Sequence, residues 1–224
     1  MLLVIDDKRI RIITGHYGSG KTEFAINYAV KLYKMGMKTA ISDLDIVNTY
    51  FRSREKTFEL ENMGIKVISS SIKNGNYDIP AISPEIATPV KDKSYNYVID
   101  LGGDDVGAIT LARLLPIINK SEVDFIMVVN TKRPETSTKE GIIYHKESLE
   151  KATGLNITGF VNNTNLVRET TEDTLKEGEN LLCEVSKETG IPIKYTSYIE
   201  DIIKPQNIET ELFPMKFFMR EEWM

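Results

Sequence analysis

The sequence predicts an α/β fold of three layers, in which helices cover both faces of a mostly parallel central sheet of about seven strands. One observation is the alternation of short apolar segments with segments of helical periodicity along most of the chain. A second is their spacing, which is typical of β-α-β units and therefore of a parallel sheet. The third is a glycine-rich segment that joins the first strand to the first helix.

Length and composition place the chain among globular proteins. Its 224 residues are 41% apolar and 27% charged, so we expect one domain over 1–224, with an apolar C-terminal tail over about 199–224. The net charge of −5 argues against a broad surface for nucleic acids or acidic membranes. A single cysteine, Cys183, and an apolar start of only five residues, too short for a signal peptide, favour a cytoplasmic location.

The order of the elements follows from the apolar pattern. The expected strands are 8–14, 38–43, 65–69, 95–100, 124–130, 157–161 and 191–195. The expected helices are 22–35, 54–63, 106–118, 138–152 and 172–188. Residues 70–94 contain three prolines and the pair Asn74-Gly75 without a clear period, so we expect a long loop there, with at most one helical turn near 83–85.

The segment after the first strand fits the pattern G-x-x-x-x-G-K-[ST] of a phosphate-binding loop. Glycines let the backbone fold tightly, so that successive N–H groups converge on an anion, and the next helix adds its own free N–H groups. The candidate phosphate contacts are Gly15, Gly18, Ser19, Gly20, Lys21 and Thr22. Lys21 would reach the β- and γ-phosphates, and the Thr22 hydroxyl would hold Mg²⁺. We therefore expect a nucleoside triphosphate as ligand; the alternative is a glycine-rich turn that binds nothing.

Aspartates at strand ends supply candidate ligands for magnesium. Asp100 ends an apolar strand and opens the pattern D-x-x-G, in which the N–H of Gly103 can meet the γ-phosphate. Asp43 and Asp45 end an earlier strand, and either can orient the attacking water or a water bound to Mg²⁺. The alternative in each case is an aspartate that caps a loop or a helix.

Together these motifs resemble the MinD/ParA group of P-loop ATPases, which includes the nitrogenase iron protein and the ATPases of metal-centre maturation. The resemblance rests on the phosphate loop, D-x-D after the second strand and D-x-G-G after the fourth, and it extends over about 9–198. It implies the P-loop NTPase fold, with ATP and Mg²⁺ as cofactors. It assigns Lys21 to the nucleotide, Thr22 and Asp100 to Mg²⁺, and Asp45 to both the metal site and the attacking water.

The resemblance also implies an adenine contact at the end of the sixth strand. Asn163, with Asn162 as the second choice, would meet the base; an asparagine turn without such a role is the alternative. Guanine-specific P-loop proteins use the pattern Asn/Thr-Lys-x-Asp, whose carboxylate accepts from guanine. Residues 162–165 read Asn-Asn-Thr-Asn, so we expect ATP to be preferred over GTP.

Two features depart from this group. Most members carry a lysine directly after the first glycine of the loop, which reaches across a dimer to the partner's nucleotide. This chain has His16 there, and a neutral imidazole does not replace a permanent cation. Arg52 and Arg54 are the nearest substitutes, with solvated arginines as the alternative. The metal-handling relatives use paired cysteines, whereas Cys183 stands alone and is expected in the core.

Three other features concern possible contacts. The histidines, His16 and His145, lie too far apart in sequence to suggest a metal site. Arg133, in a turn after a strand end, would touch phosphate or a partner, or simply lie in a surface turn. The apolar tail would pack on the sheet or on another subunit, and its four glutamates over 209–222 disfavour a stable membrane anchor.

The sequence therefore predicts a Mg²⁺-dependent ATPase that acts on a phosphoanhydride bond. Its partners would be ATP and either another protein or a nucleotide-dependent second copy, with the maturation or activation of a metalloenzyme as one such role. Without its partner, hydrolysis should be slow, because one cation near the γ-phosphate is missing. The rival interpretations are a small-molecule kinase or ATP-dependent ligase with 70–94 as acceptor site, and a nucleotide sensor that does not hydrolyse.

Overall fold

A computed structural model describes residues 6–44, 57–69, 71–74, 77–80, 84–103, 105–112 and 114–219. The strands are β1 Ile10–Thr14, β2 Thr39–Asp43, β3 Lys66–Ser69, β4 Ser71–Asn74, β5 Tyr77–Pro80, β6 Asn96–Asp100, β7 Val123–Val129, β8 Gly159–Asn162, β9 Ile193–Ile199 and β10 Leu212–Met215. The helices are α1 Lys21–Lys34, α2 Thr57–Met63, α3 Thr88–Lys91, α4 Asp105–Ala112, α5 Lys139–Thr153 and α6 Glu172–Thr189.

One sheet of eight strands forms the centre of the fold, in the order β10-β9-β8-β7-β1-β6-β2-β3. Every pair of neighbours in it is parallel. The predicted α/β sheet is therefore confirmed, with one strand more than expected. The strands of this sheet that follow β1, up to β6, lie on one side of it, as far as β3 at the edge. From β7 onwards the strands lie on the other side of β1, as far as β10 at the opposite edge. This reversal beside β1 is the place where open α/β sheets bind ligands, at the carboxyl ends of the strands.

Two apolar clusters, one on each face of the sheet, make up the three layers. On one face Ile10 and Ile12 of β1 belong to a cluster that includes Leu111 of α4 and Leu182 of α6. On the other face Ile13 belongs to a cluster that includes residues of α1 and α2. Alternate residues of β1 thus point to opposite faces and are buried on both, as expected for a central parallel strand.

The C-terminal tail supplies the eighth strand. β10 pairs with β9, and Phe213 is fully buried against Phe24 and Tyr28 of α1, with ring centroids 4.9 and 5.7 Å away. Beyond β10, the side chain of Asn27 binds both the N–H and the C=O of Lys216, at 2.8 and 2.9 Å. The tail up to 219 therefore packs on this sheet and is held by α1, one of the two places that the sequence suggested for it.

The described residues between 71 and 91 are more regular than the sequence indicated. Strands β4 and β5 form an antiparallel pair, with Ser71 opposite Pro80, and a 3₁₀ turn, Pro84–Ala87, leads into α3. The expectation of a long loop was wrong here. Asn74 is paired with Tyr77, so the two residues between the strands in sequence are Gly75 and Asn76, a pair typical of short hairpin connections. A proline in the first turn of a helix is well tolerated, so both features argue for structure rather than against it.

A second correction concerns α4, which ends at Ala112 rather than near 118 and is followed by a turn over 114–117. In the described part of the chain, none of the helices combines the length and the apolarity that crossing a bilayer requires.

The amino end of the sheet has a buried polar network of its own. Asp7 accepts hydrogen bonds from the hydroxyls of Tyr28 and Tyr195 and pairs with Lys194. Burial raises the pKa of Tyr195 well above its ordinary value, and the nearby Tyr28 and Asp7 raise it further, so this hydroxyl stays a donor. Because this network lies at the edge opposite the strand ends that hold the phosphate loop, we regard it as structural.

The packing of β10 makes a stability test possible. Phe213→Ala removes a fully buried ring and should lower the free energy of unfolding by about 3–5 kcal/mol, the usual cost of such a cavity. The matched control is Phe58→Ala on α2, where the ring is 78% exposed and a change within about 0.5 kcal/mol is expected. Equal effects of both substitutions in chemical denaturation would contradict the packing of the tail on the sheet.

Candidate functional site

The predicted phosphate loop lies between β1 and α1, at the carboxyl end of the central strand. Gly18 and Gly20 have φ angles of 76° and 82°, the left-handed region that favours glycine. The Ser19 N–H donates to His16 O at 3.0 Å and closes a turn inside the loop. Lys21 and Thr22 follow in the first turn of α1 and are 5% and 6% exposed. The loop thus has the bend and the helix start that an anion site requires.

Neighbouring backbone packs directly against this loop. A β-carbon at Gly15 would collide with the carbonyl of Val128 in β7, and one at Gly103 would collide with the carbonyl of Gly15. The D-x-x-G segment after β6 is therefore in contact with the phosphate loop, as its predicted role requires. These two glycines are needed because the approaching backbones leave no room for a side chain.

Two carboxylates lie side by side next to the loop. Asp100 ends β6, which lies between β1 and β2, and it is paired in register with Asp43 at the end of β2. Both are buried, at 0% and 1% exposure. Asp43, one of the two aspartates named for this strand end, thus joins the site, whereas Asp45 lies outside the described residues, as do Arg52 and Arg54.

This donor set suits magnesium. Thr22, Asp43 and Asp100 offer only oxygen atoms, and Mg²⁺ in nucleotide sites usually takes one or two protein ligands together with phosphate oxygens and water. Within the described ranges, no group of three or more His, Cys, Asp or Glu side chains could hold a metal ion by itself. Cys183 is half buried on α6, and burial raises the pKa of its thiol, which disfavours the thiolate that metal binding needs.

Asn163, which directly follows β8, binds the phosphate loop through its side chain. Its side-chain Nδ2 donates to Ser19 O at 2.7 Å, and its Oδ1 accepts from the Ser197 hydroxyl at 2.8 Å. A β-carbon at Gly20 would collide with the same amide. Asn162, by contrast, turns towards α6, where its Nδ2 donates to Leu175 O at 2.9 Å. Of the two candidate base contacts, only Asn163 lies at the loop; Ser197 was not named from the sequence.

A cavity opens beside the loop, which we call the side cavity. The space between its lining residues, with the part open to solvent included, amounts to about 600 Å³. Gly18, Gly20 and Asn163 line it on the side of the phosphate loop, and the remaining lining is largely apolar, with Ile202 and Phe217 among its residues. The cavity is continuous with the loop, so a ligand held there by its phosphates would extend the rest of its structure into this space.

The wall of the side cavity contains a strained residue. Val167 has a φ of 58°, which is rare for a β-branched side chain. Beside it, the Arg168 guanidinium lies 5.8 Å from the centroid of the Phe217 ring. Backbone strain of this kind is often found where a protein shapes a binding surface.

The two histidines meet in the fold, which the sequence did not suggest. The ring centroids of His16 and His145, on α5, are 4.5 Å apart, and Glu135 lies 3.7 Å from His16 Nδ1. Burial lowers the pKa of His145 and so does the neighbouring His16, while Glu135 acts in the opposite direction. His145 is therefore neutral at pH 7 and adds no permanent cation to the loop.

Arg133 also lies at the loop. It follows β7 and stands just before a 3₁₀ turn, Pro134–Thr136, and its Nε donates to Gly18 O at 3.0 Å. The surface turn that the sequence allowed is thus in contact with the phosphate loop.

No family model and no curated protein matches the chain. Among solved structures, FtsY from Mycoplasma mycoides matches with a TM-score of 0.57 and 17% identity, over 83% of this chain and 58% of that one. Cell division protein FtsY from Thermotoga maritima matches with 0.59 and 19%, over 92% and 68%. Signal recognition particle receptor FtsY from Elizabethkingia anophelis in complex with GDP matches with 0.52 and 15%, over 88% and 60%.

These likenesses show the fold alone. The chain is similar in fold to P-loop NTPases, and it spans about three fifths of the length of the first of these structures. The MinD/ParA type is not singled out by them, since all three are FtsY proteins.

The contact between Gly103 and the loop can be tested directly. Gly103→Ala should weaken the binding of a nucleoside triphosphate at least tenfold in calorimetry, because the new β-carbon collides with the Gly15 carbonyl and one backbone has to move. The control is Gly154→Ala at the end of α5, where φ is 66° but space is open. It should cost about 1–2 kcal/mol of stability, because alanine strains a left-handed backbone, and leave affinity unchanged. Affinity within twofold of wild type for Gly103→Ala would mean that this contact does not shape the loop.

Proposed function

We propose that the chain is a magnesium-dependent ATPase of the MinD/ParA type, which binds and hydrolyses ATP and couples its nucleotide state to a partner protein. The observation that carries the proposal is the placement of a phosphate loop, with Lys21 and Thr22 at the start of α1, beside the buried pair Asp43 and Asp100. A phosphate cradle next to carboxylates is the arrangement needed for a nucleotide bound as its magnesium complex.

In this proposal Lys21 binds the β- and γ-phosphates, and Thr22 and Asp100 hold the magnesium ion. Bound there, the ion neutralises part of the charge on the phosphates. Gly103 meets the γ-phosphate through its N–H, and Asp45 orients the attacking water. Asp43 lies beside Asp100 in register, so its carboxylate is at the same metal-binding end of the proposed site.

The chemistry of the side cavity favours adenine over guanine. Glu23 is the one carboxylate among the described residues that line it, and its oxygens accept from the backbone N–H groups of Phe218 and Met219. Guanine would need an acceptor for its N1 and N2 hydrogens, and the carboxylate of Glu23 is already bound to the backbone of the tail.

The environment of His16 supports dependence on a partner. His16 stands where the group carries its lysine, and it packs against His145. Burial lowers the pKa of His145, so His145 does not replace the permanent cation that the group provides in trans. We propose that another protein, or a second copy bound in the presence of nucleotide, completes the site, with Arg52 or Arg54 as the missing charge. The protein would act in the cytoplasm, without a nucleic-acid partner and without a stable membrane anchor. The maturation or activation of a metalloenzyme is one role in which an ATPase acts on a partner protein.

Competition between nucleotides tests the base preference. We expect ATP to displace a fluorescent nucleotide at a concentration at least tenfold lower than GTP, because Glu23, the one carboxylate among the described residues of the cavity lining, is bound to the tail backbone and does not accept from guanine. CTP serves as the control for contacts made by the phosphates alone and should bind more weakly than ATP. Equal or tighter binding of GTP would contradict the adenine preference and favour a guanine nucleotide on the same fold.

The products formed from ATP test the reaction. With Mg²⁺, the wild type alone should release free phosphate at a rate well below about 10 s⁻¹, the typical enzyme value, and cell extract should accelerate it. Lys21→Ala should remain folded and lose ATP binding, since this lysine would serve the phosphates. Phosphate transferred to a small molecule would favour the kinase alternative, and unchanged ATP affinity of folded Lys21→Ala would end the phosphate-loop interpretation.

A further inference from the structure

Arg133 occupies a position between the phosphate loop and the side cavity that the proposed reaction does not use. Its Nε donates to Gly18 O at 3.0 Å, and a β-carbon at Gly18 would lie 3.0 Å from the same nitrogen. The guanidinium therefore lies directly against the loop, and it also lines the side cavity.

The charge of Arg133 is not balanced by a neighbouring carboxylate. In the part of the chain that the structure describes, Arg133 forms no ion pair, and Nε is its only side-chain nitrogen with a hydrogen bond. The adjacent charges are engaged elsewhere: Lys132 pairs with Glu177, and Glu135 lies beside His16. The planar guanidinium thus has its two terminal nitrogens available for a ligand.

The orientation of the peptide between Gly18 and Ser19 determines on which side of the loop Arg133 lies. The chain has no cis peptide bond among its described residues, so the Gly18 carbonyl points opposite to the N–H of Ser19. That N–H is directed into the loop's turn, where it meets His16 O. Arg133, bound to the carbonyl, is therefore on the outer side of the turn, towards the side cavity rather than within the phosphate cradle.

We propose that Arg133 binds the base of the nucleotide, with the face of its guanidinium stacked on the purine ring while Nε stays on Gly18. This inference rests on the proposed function, because it assigns a further residue to the same nucleotide. Guanidinium groups stack on aromatic planes, and a lysine at the same place has neither the plane nor the Nε. The contact links the two ends of the ligand: the residue that meets the base also holds the loop that meets the phosphates.

The test separates the base from the phosphates by comparing two ligands. Affinities for ATP and for inorganic tripolyphosphate, both with Mg²⁺, are measured by calorimetry for the wild type, Arg133→Ala, Arg133→Lys and the control Lys132→Ala. Loss of a stacked base contact should weaken ATP binding about tenfold in both Arg133 variants. Tripolyphosphate binding should stay within about threefold, since Asn163 and the turn at His16 still hold the loop. Lys132→Ala, which removes a neighbouring surface charge, should leave both affinities unchanged.

Other outcomes overturn the proposal in distinguishable ways. If Arg133→Ala weakens the binding of tripolyphosphate as much as the binding of ATP, Arg133 acts on the phosphates or on the loop, and the proposed contact with the base is wrong. If Arg133→Lys retains wild-type affinity for ATP, charge alone suffices and stacking is wrong. If neither variant changes ATP binding, Arg133 has no ligand role. If the wild type binds neither ligand, the proposed function itself fails, and this inference fails with it.

Discussion

A phosphate loop has to keep its backbone bent around an anion without the hydrogen bonds of a helix or a strand, and the rest of this structure depends on how that bend is held. The carbonyls on the outer side of the loop are bound or covered by its neighbours. Asn163 donates to Ser19 O, Arg133 donates to Gly18 O, and Gly103 packs against Gly15 O. Because these three neighbours follow β8, β7 and β6, the loop is formed only when the strands are correctly ordered around β1.

This dependence explains why the fold was easier to predict than the site. Alternating helices and strands are local features, and the parallel sheet follows from them. The exceptions are elements whose signals are short. β10 has four residues, one of them Pro214, and its sequence predicts only an apolar tail that packs on the sheet or on another subunit. The hairpin of β4 and β5 is not predicted because Pro80, at the end of β5, argues against a strand, although a proline at the end of a short strand is compatible with pairing.

Within the candidate site, sequence patterns name residues that belong to one motif but do not predict the contacts between distant motifs. The loop residues and Asp100 are in sequence patterns whose spacing reports their chemistry. The contact of His16 with His145 joins residues separated by more than half of the chain, and no local pattern predicts it. Ser197 was missed for the same reason: its hydroxyl matters only because β9 lies next to β8, where it can bind Asn163.

Helix α1 connects the loop to the wall of the side cavity. Its first turn carries Lys21, Thr22 and Glu23. Glu23, together with Asn27 one turn further, binds the backbone of the tail from 216 to 219. Phe217, within that tail segment, lines the side cavity. A shift of α1 that improved the phosphate cradle would therefore also move this wall, because the same helix holds both. Conversely, a ligand that fills the cavity would press on a segment anchored to α1, so the two halves of the site cannot rearrange independently.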